Sequence, residues 1–485
     1  MTGGDPGRPL TSSTRTLTAL TLAILVACGA LYALVARIAF HGFPYSGDEY
    51  SLALQADLFA RGLLKAPAPE HAQWFRVDHV VIDRWVRSKY PPGAAALLSL
   101  GARAGGAWIV TPIEGVVALA VVWLTTRRLL GARPALVALL VVGLAPLFAF
   151  QAATFYPQTA TTMFLAVAFA GIAGWSQGQR SGWLVLVGAA LGCAFLTRPI
   201  DALLFAVAML SLRSPRALLV TGASALPFVA LNLAYQKAQF GSPLTDGYHA
   251  YEPTFAALYG ATAASSPILL SRLWSPVQQW NHLDLYRAFI VDWTVPGTAL
   301  VALLGAFSID RDHRARPLRN FSVAFIATYV LALLPMIADV DDGARPRYLS
   351  SALIPVAFLS AAGFSPASAA LASRFGRRLR TALVVIAIVF APAQLAAFLV
   401  TRVPLVWKRE GLYRAVEQAG VRDGLVVVRA KYPSRYARNG GLFDGAVLYL
   451  SPPPTTSGAT IAAAFPGRAI WEAREGEPWT LTRTR

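Results

Sequence analysis

The 485-residue chain is 55% hydrophobic and only 14% charged, with a formal net charge of +18 and a mean hydropathy of +0.50. Soluble domains average about 25% charged residues, so this composition excludes an ordinary soluble enzyme and describes an integral membrane protein. The positive charge is mostly arginine in short loops between apolar runs, as topogenic loops require, and needs no nucleic-acid partner. Low lysine with abundant alanine, arginine and glycine fits a G+C-rich bacterial gene.

Residues 1–14 read as a cytoplasmic tail. The apolar run at 17–38 is too long for a signal-peptide core and lacks a small-residue cleavage site, so it predicts an uncleaved transmembrane helix. Counting that first run as 15–40, further runs follow at 108–126, 134–152, 157–175, 182–197, 199–213, 217–238, 296–309, 321–338, 347–366 and 381–401. They predict about eleven spans of roughly 20 residues each. Arg8, Arg15, Arg127, Arg128, Arg133, Arg180, Arg213, Arg216, Arg311, Arg314, Arg316, Arg319, Arg374, Arg377, Arg378 and Arg380 all fall on one side of these spans. The positive-inside rule then puts the N-terminus in the cytoplasm and the C-terminus outside. Cys28 and Cys193 lie within apolar runs and read as small core residues.

Three arginines break that rule. Arg198 ends one span in Thr197-Arg198-Pro199, and Arg345 and Arg347 open another in Arg345-Pro346-Arg347-Tyr348. Either they reach to headgroups and pair with Asp201, Asp341 and Asp342, or they form an anion site on the outer face.

Two outer segments are long. The first, 39–107, carries Asp48-Glu49, a stretch with Trp74, His79 and Trp85, and then Lys89-Tyr90-Pro91-Pro92-Gly93. Helical spacing of Leu52, Ala53, Ala56, Phe59 and Ala60 predicts a helix over 49–61 lying on the membrane with its polar atoms upward, and a second follows over 94–104. The other segment, 239–295, holds Tyr248, His249, Tyr251, Trp274, Trp280, His282 and Trp293. An interfacial aromatic belt explains many of these, and the remainder suit stacking on sugar rings.

Beyond 404 the pattern changes to short apolar runs. It predicts a helix over 412–418, strands over 425–428 and 446–450, a helix over 461–465 and a strand over 469–471. The domains are therefore a membrane unit over 15–403 and a small extracytoplasmic α/β domain over 404–485. No recognisable catalytic cluster falls in the latter.

Carboxylates just outside a membrane, with a lysine before the next span, fit an enzyme that handles a lipid phosphate. Glycosyl transfer from such a donor needs a carboxylate to take the acceptor's proton, for which Asp48 and Glu49 are candidates. It also needs cations to stabilise the departing phosphate, for which Lys89, Arg198, Arg345 and Arg347 are candidates. Asp48, Glu49 and His79 are candidate ligands for a divalent metal, although hard cations want more oxygens than these.

Asp48-Glu49, Lys89-Tyr90-Pro91-Pro92-Gly93, Thr197-Arg198-Pro199 and Arg345-Pro346-Arg347-Tyr348 together resemble the GT-C membrane glycosyltransferases. The likeness is to the family-39-like branch of protein O-mannosyltransferases and lipid A aminoarabinose transferases, over roughly 15–400. It implies an all-α polytopic membrane protein of GT-C fold carrying the small C-terminal α/β domain. It also implies a polyprenyl-phosphate-linked sugar as donor, inversion at the anomeric carbon, and a glycolipid, cell-wall glycan or protein as acceptor. Asp48 takes the place of the base with Glu49 beside it. Lys89 takes that of the phosphate contact, with Arg345 and Arg347 as further phosphate ligands. Tyr90, His79, Arg198, His249 and Tyr348 complete the expected substrate contacts. The chain departs from the pattern at Ser88, where the lipid A enzyme has an acidic residue. It also lacks the MIR domain of eukaryotic protein mannosyltransferases. The expected location is a bacterial inner membrane. The rival reading, a transporter or flippase of lipid-linked sugars, would share the basic and aromatic outer surface.

Overall fold

The computed structural model describes residues 12–259, 274–308, 315–335, 345–365, 374–453 and 455–484. Arg8, Arg311, Arg314, Asp341, Asp342 and the side chain of Arg345 lie outside the described residues. The membrane part begins with α1 (Ser12–Leu34), and the chain then leaves the bundle for α2 (Gly47–Ala60), β1 (Ala66–Pro67), β2 (Val80–Ile82), β3 (Trp85–Ser88) and α3 (Pro92–Arg103). It re-enters as α4 (Val110–Leu130), α5 (Ala132–Gly143), α6 (Pro146–Gln151), α7 (Gln158–Gly178), α8 (Ser181–Thr197), α9 (Pro199–Ala208) and α10 (Pro215–Phe240). Next come α11 (Gly247–Tyr259), α12 (Pro276–Ala288), α13 (Thr298–Ser308), α14 (Arg316–Leu333), α15 (Leu353–Gly363) and α16 (Arg374–Gln418). The C-terminal part holds β4 (Gly424–Arg429), β5 (Val447–Leu450), α17 (Gly458–Ala464), β6 (Ile470–Arg474) and β7 (Thr480–Arg483).

Among the described residues each apolar run of the sequence falls mostly on helix, but few of those helices are whole spans. Among the described residues five helices are long and apolar enough to cross a membrane, and a pair bent by 100° between Trp293 and Thr298 makes up to six. The run at 134–152 breaks at Ala145, because Pro146 starts a new helix. The helices Ser181–Thr197 and Pro199–Leu212 are short and separated by Arg198-Pro199. The buried core of the bundle is aromatic, with Phe205 tilted against Phe321 at 4.6 Å and Phe358 packed edge-on against Phe169. Without a hydrophobic driving force between helices in lipid, close backbone approach supplies packing energy. α13 and α15 meet in that way: a Cβ on Gly305 would lie 1.8 Å from the Leu359 carbonyl oxygen, and one on Gly363 2.4 Å from that of Val301.

Three elements differ from expectation. α2 is not a helix lying on the membrane with a polar upper face. It buries Ser51 and Gln55 as well as Leu52, Leu54 and Leu58, because the outer loop and the C-terminal sheet cover it. Its buried polar atoms are satisfied: Gln55 Nε2 donates to the Leu64 carbonyl at 2.8 Å and its Oε1 accepts from Ser88 N at 3.0 Å. The stretch around Trp85 is a hairpin, β2–β3, within a three-stranded antiparallel sheet of order β1-β3-β2. Finally, the helix expected over 412–418 is the end of α16, which runs through Pro404 without a break.

The C-terminal sheet has order β5-β4-β6-β7, with β4 parallel to β5 and β6 and β7 antiparallel to β6. Leu425-Val426-Val427-Val428 is apolar throughout because both faces of β4 are covered. Leu425 and Val427 pack with Trp74 and Phe75 of the first outer segment. Val426 and Val428 pack with Leu54 and Leu58 of α2 and with Val80. The two segments thus share cores and are clasped by Arg438. That buried guanidinium donates to the carbonyls of Pro44 and Tyr45 and lies over the rings of Phe43 and Tyr50. Removing it in Arg438→Ala orphans the Pro44 carbonyl, leaves that of Tyr45 to Arg409 alone and takes away the cation over both rings. We expect a loss of about 2–3 kcal/mol, read as a lower unfolding temperature and faster protease cleavage between α16 and β5 in detergent.

Candidate active site

Ser46 caps α2. Its hydroxyl accepts from Glu49 N at 3.2 Å, while Glu49 Oε2 accepts from Ser46 N at 3.1 Å and Ser46 Oγ at 2.8 Å, a reciprocal capping box. Glu49 Oε1 accepts from Phe155 N at 3.0 Å, tying α2 to the turn before α7. Both oxygens of Glu49 are engaged and the residue is fully buried. Burial lifts its carboxyl to about 7 against the pull of those three donors.

Asp48 sits one residue earlier in the same first turn, where the helix N-terminus favours a negative charge. Its side chain keeps 21% of its surface open, so it is the accessible member of the pair. The Tyr90 hydroxyl donates to Oδ1, Arg347 Nη2 lies 3.6 Å from Oδ2, and His79 Nε2 lies 4.0 Å from Oδ1. Burial would raise the Asp48 carboxyl, but His79, Arg347, Lys89 and the Tyr90 hydrogen bond outweigh it and hold it below the usual range.

The β2–β3 hairpin explains how His79 and Lys89 meet. Val80 pairs with Ser88, so the next residues outward are His79 and Lys89, and Lys89 N donates to the His79 carbonyl at 3.3 Å. With Ile82 opposite Val86, Asp83-Arg84-Trp85 makes the turn, and Asp83 Oδ1 caps it by accepting from Trp85 N at 2.7 Å and pairing with Arg87 at 2.8 Å. α2 braces the hairpin through Ser51, whose hydroxyl donates to the His79 carbonyl at 2.6 Å. The His79 imidazole is pushed down to about 4 by burial and by Lys89. Its Nδ1 is buried without a hydrogen-bond partner among the described residues.

Lys89 is buried, and its ammonium lies 5.3, 4.8 and 4.8 Å from the ring centres of Tyr90, Tyr248 and Tyr251. Burial depresses it to about 8, with Asp48 and Asp78 opposing. Among the described residues no carboxylate comes within ion-pair distance of it. The cage depends on α11 approaching closely. A Cβ on Gly247 would lie 2.0 Å from the Lys89 carbonyl oxygen and 2.6 Å from its Cα. Such a contact with backbone cannot be relieved by a rotamer.

Arg347 is buried, donates to the Tyr156 and Tyr348 hydroxyls at 3.1 and 3.4 Å, and stacks on both rings. Arg198 is committed to Asp201 at 2.7 Å and lies 5.8 Å from the Tyr348 ring centre. Asp201 also accepts from the Tyr329 and Ser351 hydroxyls, so the pair ties α9 to α14 and the turn Arg345–Ala352. His249 is exposed, bonded to Asp246 at 2.8 Å; its neighbours Tyr248 and Tyr251 are the residues of that helix that meet Lys89.

The structure therefore gathers Asp48, His79, Lys89, Tyr90, Arg347 and Tyr348, with Arg198 at the edge, and keeps His249 outside. Sequence reasoning missed Tyr156, which seats Arg347, and Asp78, which accepts from Ser434 Oγ at 2.8 Å. It also missed the caging role of Tyr248 and Tyr251, although their i, i+3 spacing placed them on one helix face. For a divalent metal, left open by the sequence, no group of three His, Cys, Asp or Glu side chains comes together among the described residues.

The helical bundle has the overall fold of the solved protein ArnT, and part of the chain matches a mannosyltransferase family model. The family model of dolichyl-phosphate-mannose-protein mannosyltransferases matches residues 89–235. The structure of ArnT from Cupriavidus metallidurans bound to undecaprenyl phosphate is 13% identical with a TM-score of 0.58, covering 96% of this chain and 93% of that one. The apo state of the same enzyme gives 14% and 0.55 at the same coverage. No curated protein sequence matches the chain.

Two substitutions test how the site is built. Glu49→Gln places an amide NH2 where donors already point, so the capping box or the Phe155 bond is lost. A drop of about 1–3 kcal/mol in stability is expected, measurable by thermal unfolding in detergent. Gly247→Ala should leave overall folding intact but open the tyrosine cage. The signature is a Lys89 that reacts faster with an amine acylating reagent, scored by mass spectrometry.

Proposed function

We propose that this chain transfers a sugar from a polyprenyl-phosphate carrier to an acceptor on the outer face of a bacterial inner membrane. In this reading the N-terminus is cytoplasmic, and the first outer segment and C-terminal sheet lie outside. The observation that carries it is the buried Lys89 ammonium, caged by tyrosine faces with no carboxylate in contact among the described residues, beside an ionised Asp48. A desolvated cation without a direct counter-ion is a site awaiting an anion, and a lipid phosphate at the bilayer edge supplies one. ArnT, which shares the fold, was solved with undecaprenyl phosphate, which supports the same choice.

The chemistry follows from the geometry. The acceptor hydroxyl attacks the anomeric carbon and the bond from that carbon to the phosphate oxygen breaks. Asp48 receives the hydroxyl proton and the phosphate leaves with the bonding pair, gaining one negative charge. Lys89 and Arg347 stabilise that charge as it grows, the lysine as a point charge and the arginine with a planar fork. A carboxylate held so acidic is a weak base, so proton transfer comes late, when positive charge at the sugar has made the attacking hydroxyl acidic. Glu49 positions Asp48 by fixing the helix turn on which it rides. Tyr90 and Arg347 orient its two oxygens. A glycolipid, a cell-wall glycan and a protein are the acceptor classes this chemistry admits.

Asp48→Asn should keep a monodisperse, folded protein in detergent and lower sugar-dependent release of polyprenyl phosphate by about 10²–10⁴-fold. Release equal to wild type would remove Asp48 from the role of base. The pH profile supplies a second test. Because the Lys89 ammonium is lost as pH rises through about 8, kcat/KM for the donor should fall above that pH. Bound phosphate should move the limb upward in kcat, and Lys89→Arg should flatten it.

A further inference from the structure

In the C-terminal sheet the chain leaves β4 for β5 on one side and returns across it to β6 on the other, all three strands being parallel. The strand order therefore reverses at β4. The crevice beyond the carboxyl ends of β4 and β6 is the topological switch point, where open parallel sheets take their ligands. A cleft of about 610 Å³ opens there, within the usual span of about 300–1,000 Å³ for small-molecule sites. Arg429 at the end of β4 and Lys431 just beyond it line it, with Glu475 and Glu477 beyond β6 and Lys408 of α16.

The lining alternates charge. Lys408 Nζ lies 3.2 Å from Glu477 Oε1. Glu475 accepts from Lys431 N at 3.2 Å and from the Tyr436 hydroxyl at 2.9 Å. Arg429 pairs with Glu472 at 3.3 Å, while its Nη1 has no hydrogen-bond partner among the described residues. The Lys431 ammonium meets only the Tyr432 ring, at 5.3 Å, among the contacts of the described residues. Pro433 and Pro452 add apolar wall. Neighbouring hydroxyls suit such a surface, each donating to a carboxylate and accepting from a cation, while the carbon face of a sugar ring lies against proline. A nucleotide would find neither a glycine-rich turn nor a helix N-terminus after β4, only the short turn Pro433–Arg435.

That turn also reaches the first site. Ser434 Oγ donates to Asp78 Oδ1 at 2.8 Å and Arg435 Nε lies 3.8 Å from Asp78 Oδ2. Asp78 precedes His79, whose ring borders Asp48. Resting on the transferase reading above, we propose that the switch-point cleft is a saccharide subsite that holds the acceptor's glycan while its reacting hydroxyl is presented near Asp48. Lys431 and Lys408 are its hydroxyl- and carboxylate-binding donors, and the Pro433–Arg435 turn fixes its distance from the base.

The test separates binding from turnover. Full-length protein in detergent is passed over an array of defined neutral and acidic oligosaccharides, comparing wild type, Asp48→Asn, Lys431→Glu and Lys408→Ala. Both lysines are exposed, so these variants should fold, which monodispersity checks. Wild type and Asp48→Asn should retain the same glycans. Lys431→Glu should bind them about tenfold more weakly or worse, equivalent to about 1.4 kcal/mol, and Lys408→Ala should weaken them to a smaller degree. Absence of retention by wild type, or equal retention by Lys431→Glu, would overturn the subsite. Displacement of a retained neutral glycan by millimolar inorganic phosphate alone would also overturn it, making the cleft an anion site. Because no step requires donor cleavage, glycan binding that persists in a wild type unable to release polyprenyl phosphate would count against the transferase reading instead.

Discussion

A lysine ammonium taken out of water with ring faces as its nearest neighbours is the constraint around which the outer segments are organised. Burying such a charge costs several kcal/mol unless something offsets it. Here the offset is distributed: three tyrosine quadrupoles, and the field of Asp48 and Asp78 at longer range. The contributors arrive on four different stretches of chain. Asp48 rides on α2, Asp78 precedes β2, Tyr90 follows β3, and Tyr248 and Tyr251 come from α11. Holding Lys89 in place therefore fixes the stretch from α2 to β3 against α11.

The same arrangement explains why the C-terminal sheet cannot be regarded as an appendage. Trp74 and Phe75 complete the core on one side of β4, and α2 completes it on the other. Arg438 holds the backbone just before the Ser46 cap. The capping box that aims Asp48 is thus anchored from below by Phe155 of the bundle and from beside by the sheet. Packing and electrostatics converge on one helical turn of four residues.

Much of this was legible in the sequence, and for identifiable reasons. Asp48, Lys89 and Arg347 stood out because ions next to apolar runs are costly and their sidedness is informative. The strands at 425–428 and 446–450 were legible as apolar runs flanked by turn residues. The hairpin was overlooked, although Val80-Val81-Ile82 and Val86 flank Asp83-Arg84-Trp85, because aromatic and charged residues dominate that stretch and hide its alternation. The long helix through Pro404 was unreadable locally: proline lacks only one donor, and surrounding packing overrode the break that hydropathy implied. That Glu49 has both oxygens engaged while Asp48 keeps open surface depends on the partners of each oxygen, which no spacing encodes. Arg198 shows the opposite case, in which its near neighbour Asp201 in the sequence was already the partner that the structure gives it.

The uninterrupted α16 has a mechanical consequence. At about 1.5 Å per residue its 45 residues extend some 67 Å, roughly twice the thickness of a hydrocarbon layer. It acts as a mast whose top carries the sheet and whose side contributes Lys408 to the sheet's cleft. On a mast, height and azimuth are coupled: each residue added below Lys408 raises the sheet by about 1.5 Å and turns it by about 100°. The length of this one helix is therefore quantised. Only whole turns restore the bearing of the sheet toward α2, and each whole turn lifts it by about 5.4 Å.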